Sequence, residues 1–243
     1  MNKDIILIIG ASSDIGLNLI KNINYEALIL AHFNSSNKGL LELSNNIENE
    51  LILLKADLSK EAEVNKLLDK IENHYGTPNK IVHLAAPKFS NRRFKDLLWE
   101  DFQNEIDVSL KSIISILGRF LPKMSKMKQG KVVLMLSSVV INVPPKALAH
   151  YTSIKYAMLG LVKSLASEFS DKNIQINAIS PSMTETKFLD NINEKLIELN
   201  AYNHPLKRNA HLNEITPIII MLISKESDYI NGVNIPITGG IAF

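Results

Sequence analysis

Cysteine is absent from the 243-residue chain, which excludes disulfides, thiolate metal sites and cysteine nucleophiles. Its absence fits a reducing compartment such as the cytoplasm. Long apolar runs are missing too. The longest, Ile5–Ile9, Ala27–Ala31 and Ile218–Ile223, fall far short of the roughly 18 residues that span a bilayer, so no membrane partner is expected. An excess of charge of one sign is also lacking. Twenty-seven basic against 25 acidic residues leave a net +2, with no electrostatic case for nucleic acid or an anionic surface. The start, MNKDIILIIGASSDIG, lacks the apolar stretch and small-residue cleavage site of a signal peptide and reads as a first strand. No linker-like composition, low-complexity tract or repeat interrupts the chain. With 46% hydrophobic and 21% charged residues, one core can serve residues 1–243 as a single domain.

Short apolar runs alternate with amphipathic stretches. Strands are expected at Ile5–Ile9, Ala27–Ala31, Leu51–Leu54, Ile81–Leu84, Val132–Leu136, Ile174–Ile179 and Val233–Ile237. Helices are expected at Ile15–Ile23, Glu61–His74, Trp99–Met124 with a break near Leu110, and His150–Ser170. Strands that are apolar throughout, alternating with helices, indicate a parallel sheet covered on both faces. The fold class is therefore α/β. The lysines of Lys123–Lys131 read as a solvated connection.

Two motifs carry chemistry. Gly10-Ala11-Ser12-Ser13-Asp14-Ile15-Gly16 lies between the first strand and first helix. A turn of this kind lets backbone N–H groups and a helix N-terminus face a pyrophosphate. Gly10 permits the tight turn and Gly16 close helix–sheet packing, while Asp14 reads as the N-cap. The second motif is Tyr151-Thr152-Ser153-Ile154-Lys155, which opens a helix after Ser137-Ser138. Tyr and Lys four residues apart share a helix face. An ammonium beside a phenol favours the phenolate, so Tyr151 is expected to ionise more readily and to act as a general acid or base.

Together these motifs resemble the short-chain dehydrogenase/reductase family in its single-domain form, and most closely its 3-oxoacyl-(acyl-carrier-protein) reductase-like branch. Further matches are Ala56-Asp57-Leu58, His83–Ala86, Asn177–Thr186, Gly239-Gly240 and the 13 positions from Ser138 to Tyr151. The resemblance implies a doubly wound, single-domain Rossmann fold, a seven-stranded mainly parallel sheet in the order 3-2-1-4-5-6-7. It implies Tyr151 as proton donor, Ser138 as the hydrogen-bond partner of the substrate oxygen, and Lys155 as ligand of the nicotinamide ribose. Asp57 and Leu58 would meet the adenine, with a helix N-cap as the other reading of Asp57. Ala85 and Ala86 would lie under the cofactor. Pro181, Ser182 and Thr184 would pass the nicotinamide carboxamide, and Thr186 would bind the amide or a phosphate. Residues from about 184 to 210, closing on Pro205-Leu206-Lys207-Arg208, would cover the substrate.

There are departures from the family pattern. The helix asparagine that holds a water beside the lysine is replaced by Ser109, whose hydroxyl could hold the same water. His83-Leu84-Ala85-Ala86 replaces the usual Asn-Asn-Ala-Gly, at some cost in stability, with His83 read as a packed strand residue. Asp14 and Ser182 each stand where glycine is usual. An NAD enzyme normally closes its second strand with a carboxylate for the ribose hydroxyls. Here Asn34, Ser35 and Ser36 can donate to a 2′-phosphate, with His32 and Lys38 contributing, so NADP is expected and NAD is the alternative. No metal is expected.

The expected function is reduction of a ketone to a secondary alcohol, first an acyl-thioester ketone. The other readings are a sugar or secondary-metabolite ketone, and a non-catalytic dinucleotide-binding regulator. Ile106, Leu110, Ile113, Ile114, Leu117 and Phe120, with Met158, Leu159, Leu161, Val162 and Leu165 on the next long helix, cover more than one stripe. That pattern, with the uncharged IPITGGIAF end, predicts a homo-oligomer, preferably a tetramer.

Overall fold

A computed structural model describes residues 3–242. Seven strands, β1 (Asp4–Ile9), β2 (Ala27–Phe33), β3 (Glu50–Lys55), β4 (Lys80–His83), β5 (Gly130–Met135), β6 (Ile174–Pro181) and β7 (Asn234–Ile237), form one sheet in the order β3-β2-β1-β4-β5-β6-β7. Every neighbouring pair is parallel. The helices are α1 (Asp14–Asn22), α2 (Lys38–Ser44), α3 (Glu61–Tyr75), α4 (Trp99–Glu105), α5 (Ser112–Met127), α6 (Ala149–Glu168), α7 (Glu194–Asn203) and α8 (Leu212–Leu222). A π-helical turn, Ile106–Lys111, joins α4 to α5. The expected single Rossmann sheet is thus the fold of this chain.

The strands are apolar on consecutive residues because each sheet face has its own core. Leu7 and Ile9 pack among residues of α3, α5 and α6, whereas Ile6 and Ile8 pack among those of α1, α2 and α8. All four are fully buried, which a strand shows only when helices cover both faces. The sheet order reverses between β1 and β4, and open α/β sheets bind ligands in the crevice outside the carboxyl ends of the strands at such a point.

Some boundaries differ from the sequence-based expectation. The second strand runs on to Phe33, with His32 inside the core at 2% exposure. Helix α2 follows directly on a polar stretch that reads as a loop. The break expected near Leu110 is the π turn, where the Ser112 amide reaches back five residues to Asp107. Such a turn re-aims neighbouring side chains. It leaves Ser109 and Ser112 buried on the inner face. Phe243, part of the C-terminal end expected to form an interface, lies outside the described residues. Among the described residues, no helix is long and apolar enough to cross a membrane, and no cluster of three His, Cys, Asp or Glu side chains could hold a metal ion.

Candidate active site

The crevice begins at the glycine turn. Gly10 has φ +80°, and a Cβ there would lie 2.9 Å from the Ala85 nitrogen, so the turn and the end of β4 approach as only glycine allows. A Cβ on Gly16 would lie 2.5 Å from the Ala11 carbonyl, which fixes how closely α1 sits on the turn. Ser13, not Asp14, is the N-cap. Its hydroxyl donates to the Gly10 carbonyl (2.7 Å) and accepts from the Gly16 amide (3.1 Å). The cap falls there because Ser13 is extended whereas Asp14 is already in the first helical turn. The Asp14 carboxylate instead accepts from the Lys187 amide at 2.7 Å, tying the turn to the segment after β6. Within the described residues the amides of Ser12, Asp14 and Ile15 have no hydrogen-bond partner. Free donors at a helix N-terminus under a positive-φ glycine fit the pyrophosphate of a dinucleotide.

His32 does not join the polar loop after β2. Its Nδ1 accepts from the Gly10 amide (3.1 Å), so its Nε2 carries the proton and donates to the Ala56 carbonyl (3.0 Å). The ring fastens the ends of three strands together, and burial draws its pKa below the ordinary value. Both nitrogens are taken by main chain, which removes His32 from any contact with a ribose phosphate. Asn34, Ser35 and Ser36 are exposed, and no carboxylate lies among them. Asp57 is not a helix cap, since the residue preceding α3 is Lys60. Its carboxylate accepts from the Ser59 amide and hydroxyl, which holds it below the usual carboxylate range. Leu58 beside it is buried, and Ala85 and Ala86 are partly exposed at the end of β4.

The reacting end is built by β5, α6 and the π turn. Tyr151 and Lys155 lie one turn apart on α6, at 7% and 2% exposure. Lys155 donates to the Met135 carbonyl (2.9 Å), and its Nζ sits 5.4 Å from the centre of the Tyr151 ring. The ammonium therefore lies against the ring, and the phenol is not drawn toward ionisation. Burial pushes Tyr151 above its ordinary value, a hydrogen bond from Ser137 opposes this, and the Glu105 charge adds to it. A phenol that keeps its proton suits a donor better than a base. Phe89 packs edge-on against Tyr151 and Phe188 edge-on against Phe89, each pair 5.5 Å between ring centres. The two phenylalanines supply the apolar wall that desolvates the phenol.

Ser137 is the serine whose hydroxyl opposes the upward shift of Tyr151. Ser137 also accepts from the Val139 amide at 3.4 Å. Ser138 opens the following 3₁₀ turn, and its partly exposed hydroxyl has no partner among the described residues. Ser109 is fully buried and donates to Glu105 at 3.4 Å. Glu105 was not singled out from the sequence. It is 4% exposed, and burial raises its carboxyl to about 7, with Lys155 opposing. Burial draws Lys155 down to about 8, with Glu105 opposing. The signal that could have exposed it is phase, because Glu105 extends the buried stripe of Ser109, Ser112, Ile113 and Ile116 one turn back.

Residues 184–210 are pinned at both ends. Thr184 bridges to Ala210, the Ala210 amide donates to Met183, and the Glu185 amide donates to Ala210. Pro181 ends β6, and the Ser182 amide donates to Ile237 (3.0 Å). The hydroxyls of Thr184 and Thr186 donate to carbonyls two residues back, leaving their oxygens as acceptors. Exposed Leu196, Leu199 and Tyr202 lie on α7 within this segment.

Comparison with known proteins agrees with this architecture. The family described as enoyl-(acyl carrier protein) reductase matches residues 10–242. The 3-oxoacyl-[acyl-carrier-protein] reductase FabG of Buchnera aphidicola subsp. Baizongia pistaciae is 26% identical, covering 98% of this chain and 97% of that protein. Two solved structures share the fold. A 3-oxoacyl-[acyl-carrier protein] reductase of Brucella melitensis with bound NAD has a TM-score of 0.88 at 19% identity, covering 100% and 92% of the two chains. ElxO with NADP bound has a TM-score of 0.86 at 24% identity, covering 98% of each.

Proposed function

The chain belongs to the short-chain dehydrogenase/reductase family, a family of oxidoreductases, and from that membership we propose that it reduces a ketone to a secondary alcohol with NADPH. The observation that carries the reading is Tyr151, a buried phenol that keeps its proton, one helical turn from Lys155 and set against a serine hydroxyl. When bound, the reduced nicotinamide supplies a hydride to the carbonyl carbon. Tyr151 gives its proton to the carbonyl oxygen, and Ser138, whose hydroxyl is free, donates a hydrogen bond to the same oxygen. Ser137 keeps the phenol oriented. Lys155 holds the nicotinamide ribose, with Ala85 and Ala86 beneath the cofactor.

The amides of Ser12, Asp14 and Ile15 hold the pyrophosphate, and Asp57 and Leu58 flank the adenine. Pro181, Ser182, Thr184 and Thr186 line the nicotinamide end. Asn34, Ser35 and Ser36 favour NADPH because nothing acidic there repels a 2′-phosphate. Residues 1–243 form one cofactor-binding and catalytic domain, and about 184–210 cover the substrate. The substrate is a 3-oxoacyl thioester, supported by the 3-oxoacyl reductases among the relatives and by the apolar wall of Phe89 and Phe188. Loss of NADPH absorbance tests this with a 3-oxoacyl thioester, simple ketones and a keto-sugar. Turnover fastest with the thioester supports the reading. Dinucleotide binding without turnover of any ketone overturns it in favour of a regulator.

A further inference from the structure

We propose that Asp14 is a positioning residue that ties the apolar wall over Tyr151 to the cofactor turn. The inference rests on the ketone-reductase reading. Asp14 opens α1 where glycine is usual, and its carboxylate is not needed as a cap, because Ser13 already caps the helix. The carboxylate accepts from the Lys187 amide at 2.7 Å, across 173 positions of sequence. Lys187 begins the 3₁₀ turn Lys187–Leu189, and the residue before it, Thr186, makes no side-chain cap. The Thr186 hydroxyl is turned to the Thr184 carbonyl at 3.3 Å instead. The first amides of a helical turn have no partner within it. Asp14 therefore caps this turn from another element, with a hydrogen bond that its charge strengthens. Among the described residues, no other hydrogen bond joins residues 186–193 to the fold outside 184–210.

The turn carries Phe188. Its ring packs edge-on on Phe89, which packs edge-on on Tyr151, each pair 5.5 Å between ring centres. Phe188 is 37% exposed, so its own packing restrains it only in part. The buried Leu189 and the Asp14 bond hold the rest of the turn. Without that bond the turn is released and Phe188 can leave Phe89. A ketone with an apolar chain lies against this wall before and during reaction, so the loss falls on KM and not on kcat. The carboxylate acts in the opposite sense on the cofactor. The free amides of Ser12, Asp14 and Ile15 on the same turn fit a pyrophosphate, and a fixed negative charge beside them repels it. Asp14 thus weakens cofactor binding and strengthens substrate binding, a combination that glycine at this position does not give.

Asp14→Ala removes the acceptor and the charge, whereas Asp14→Asn removes the charge and keeps an acceptor oxygen. Backbone hydrogen exchange should be followed by NMR in the free proteins, together with KM and kcat for the best ketone and NADPH affinity by fluorescence. In D14A the Lys187 amide should exchange at least about tenfold faster. KM for the ketone should rise about tenfold with kcat within about twofold, the size of a lost hydrogen bond to a charged group. D14N should regain most of that KM. Both variants should bind NADPH about threefold more tightly, as expected of one exposed charge. A merely structural aspartate would not move substrate and cofactor affinity in opposite directions. Unchanged exchange at Lys187 in D14A overturns the proposal, and so does faster exchange with KM unmoved. D14N as impaired in KM as D14A also sinks it, because the charge and not the bond would then be at work. Weaker NADPH binding in D14A overturns it as well, since the turn itself would be damaged. Any of these with wild-type turnover leaves the reductase reading standing. A wild type that turns over no ketone removes that reading and the proposal together.

Discussion

Acidification should unfold this protein through a histidine that lies under the active site, and His83→Asn should blunt the effect. His83 is fully buried at the end of β4. The Ser112 hydroxyl donates to the Val108 carbonyl at 2.6 Å, so at 3.1 Å it can only accept from His83 Nε2–H. Nδ1 is then an unprotonated acceptor, and it has no partner. A proton placed there would create a charged imidazolium whose new N–H faces nothing. Burial, with the Lys155 charge adding to it, draws the pKa down to about 3. The unfolded chain binds this proton from about pH 6.5 downward, and the folded chain does not. The stability it contributes is therefore present above 6.5 and lost as pH falls toward 3. At 1.36 kcal/mol per pH unit the loss is roughly 2 kcal/mol by pH 5 and about 5 kcal/mol by pH 3. For a chain of this length, 2 kcal/mol is roughly 4–8 °C in Tm. His32 adds loss of the same sign, since its folded pKa is also lowered. Glu105 acts in the opposite sense. Its folded pKa is raised, so its contribution is present at low pH and lost as pH rises through about 7. Both terms are common to wild type and His83→Asn, so the difference in Tm between the two, followed from pH 7 to 5, isolates His83. The variant's curve should be shallower by the amount given, whatever its offset at pH 7. Parallel curves would refute the reasoning.

Tyr151→Phe removes the only proton donor proposed for the reacting oxygen and should cost at least about 10²-fold in kcat, with cofactor affinity little changed in a fluorescence titration. Near-normal turnover in that variant would show that the proton comes from elsewhere. Asn34→Asp should raise the Michaelis constant for NADPH more than that for NADH, because a carboxylate would repel the 2′-phosphate; an equal response of both would place residue 34 away from the ribose. The assembly is expected to be a tetramer of 27.2-kDa chains, with exposed Ile114 on α5 and partly exposed Leu159, Leu161 and Leu165 on α6 inside its interfaces. Light scattering after size exclusion checks this, and a monomer mass at micromolar concentration would refute it.

The strands were legible because the sheet is buried on both faces. A strand such as Ile5–Ile9 then loses the alternation that would blur its limits and becomes a block of β-branched residues stopped by Gly10. Helix α2 was hidden because the polar stretch through Lys38 and Gly39 carries turn chemistry, and only Leu40 of the helix is fully buried. His32 misled for a related reason. It stands beside exposed Asn34 and reads as loop, whereas tertiary hydrogen bonds to Gly10 and Ala56 hold it in the core. Within the site, spacing located Tyr151 and Lys155 and chose Ser138 over Ser137, but how the chain leaves β5 into a 3₁₀ turn, with Ser137 extended and Ser138 opening the turn, is a tertiary detail that spacing does not carry. Glu105 was passed over for another reason. A glutamate in a helix that also holds Glu100 and Asp101 reads as solvated, although it lies in phase with the buried stripe of Ser109, Ser112, Ile113 and Ile116.

The buried titratable residues around the site share a physical character that bears on how it works. His32 and His83 are buried neutral, each locked in one tautomer by a partner that can only donate or only accept. Neither adds charge to the crevice above. The charge beneath the reacting end is then confined to Lys155 and Glu105, whose ordinary values lie far apart but which burial moves to within about one unit of each other. In water both groups would be charged at neutral pH and their attraction screened. Here desolvation weakens both charges, and the two histidines add none. Tyr151 keeps its proton for the same physical reason, since burial raises it and the Glu105 charge opposes its ionisation.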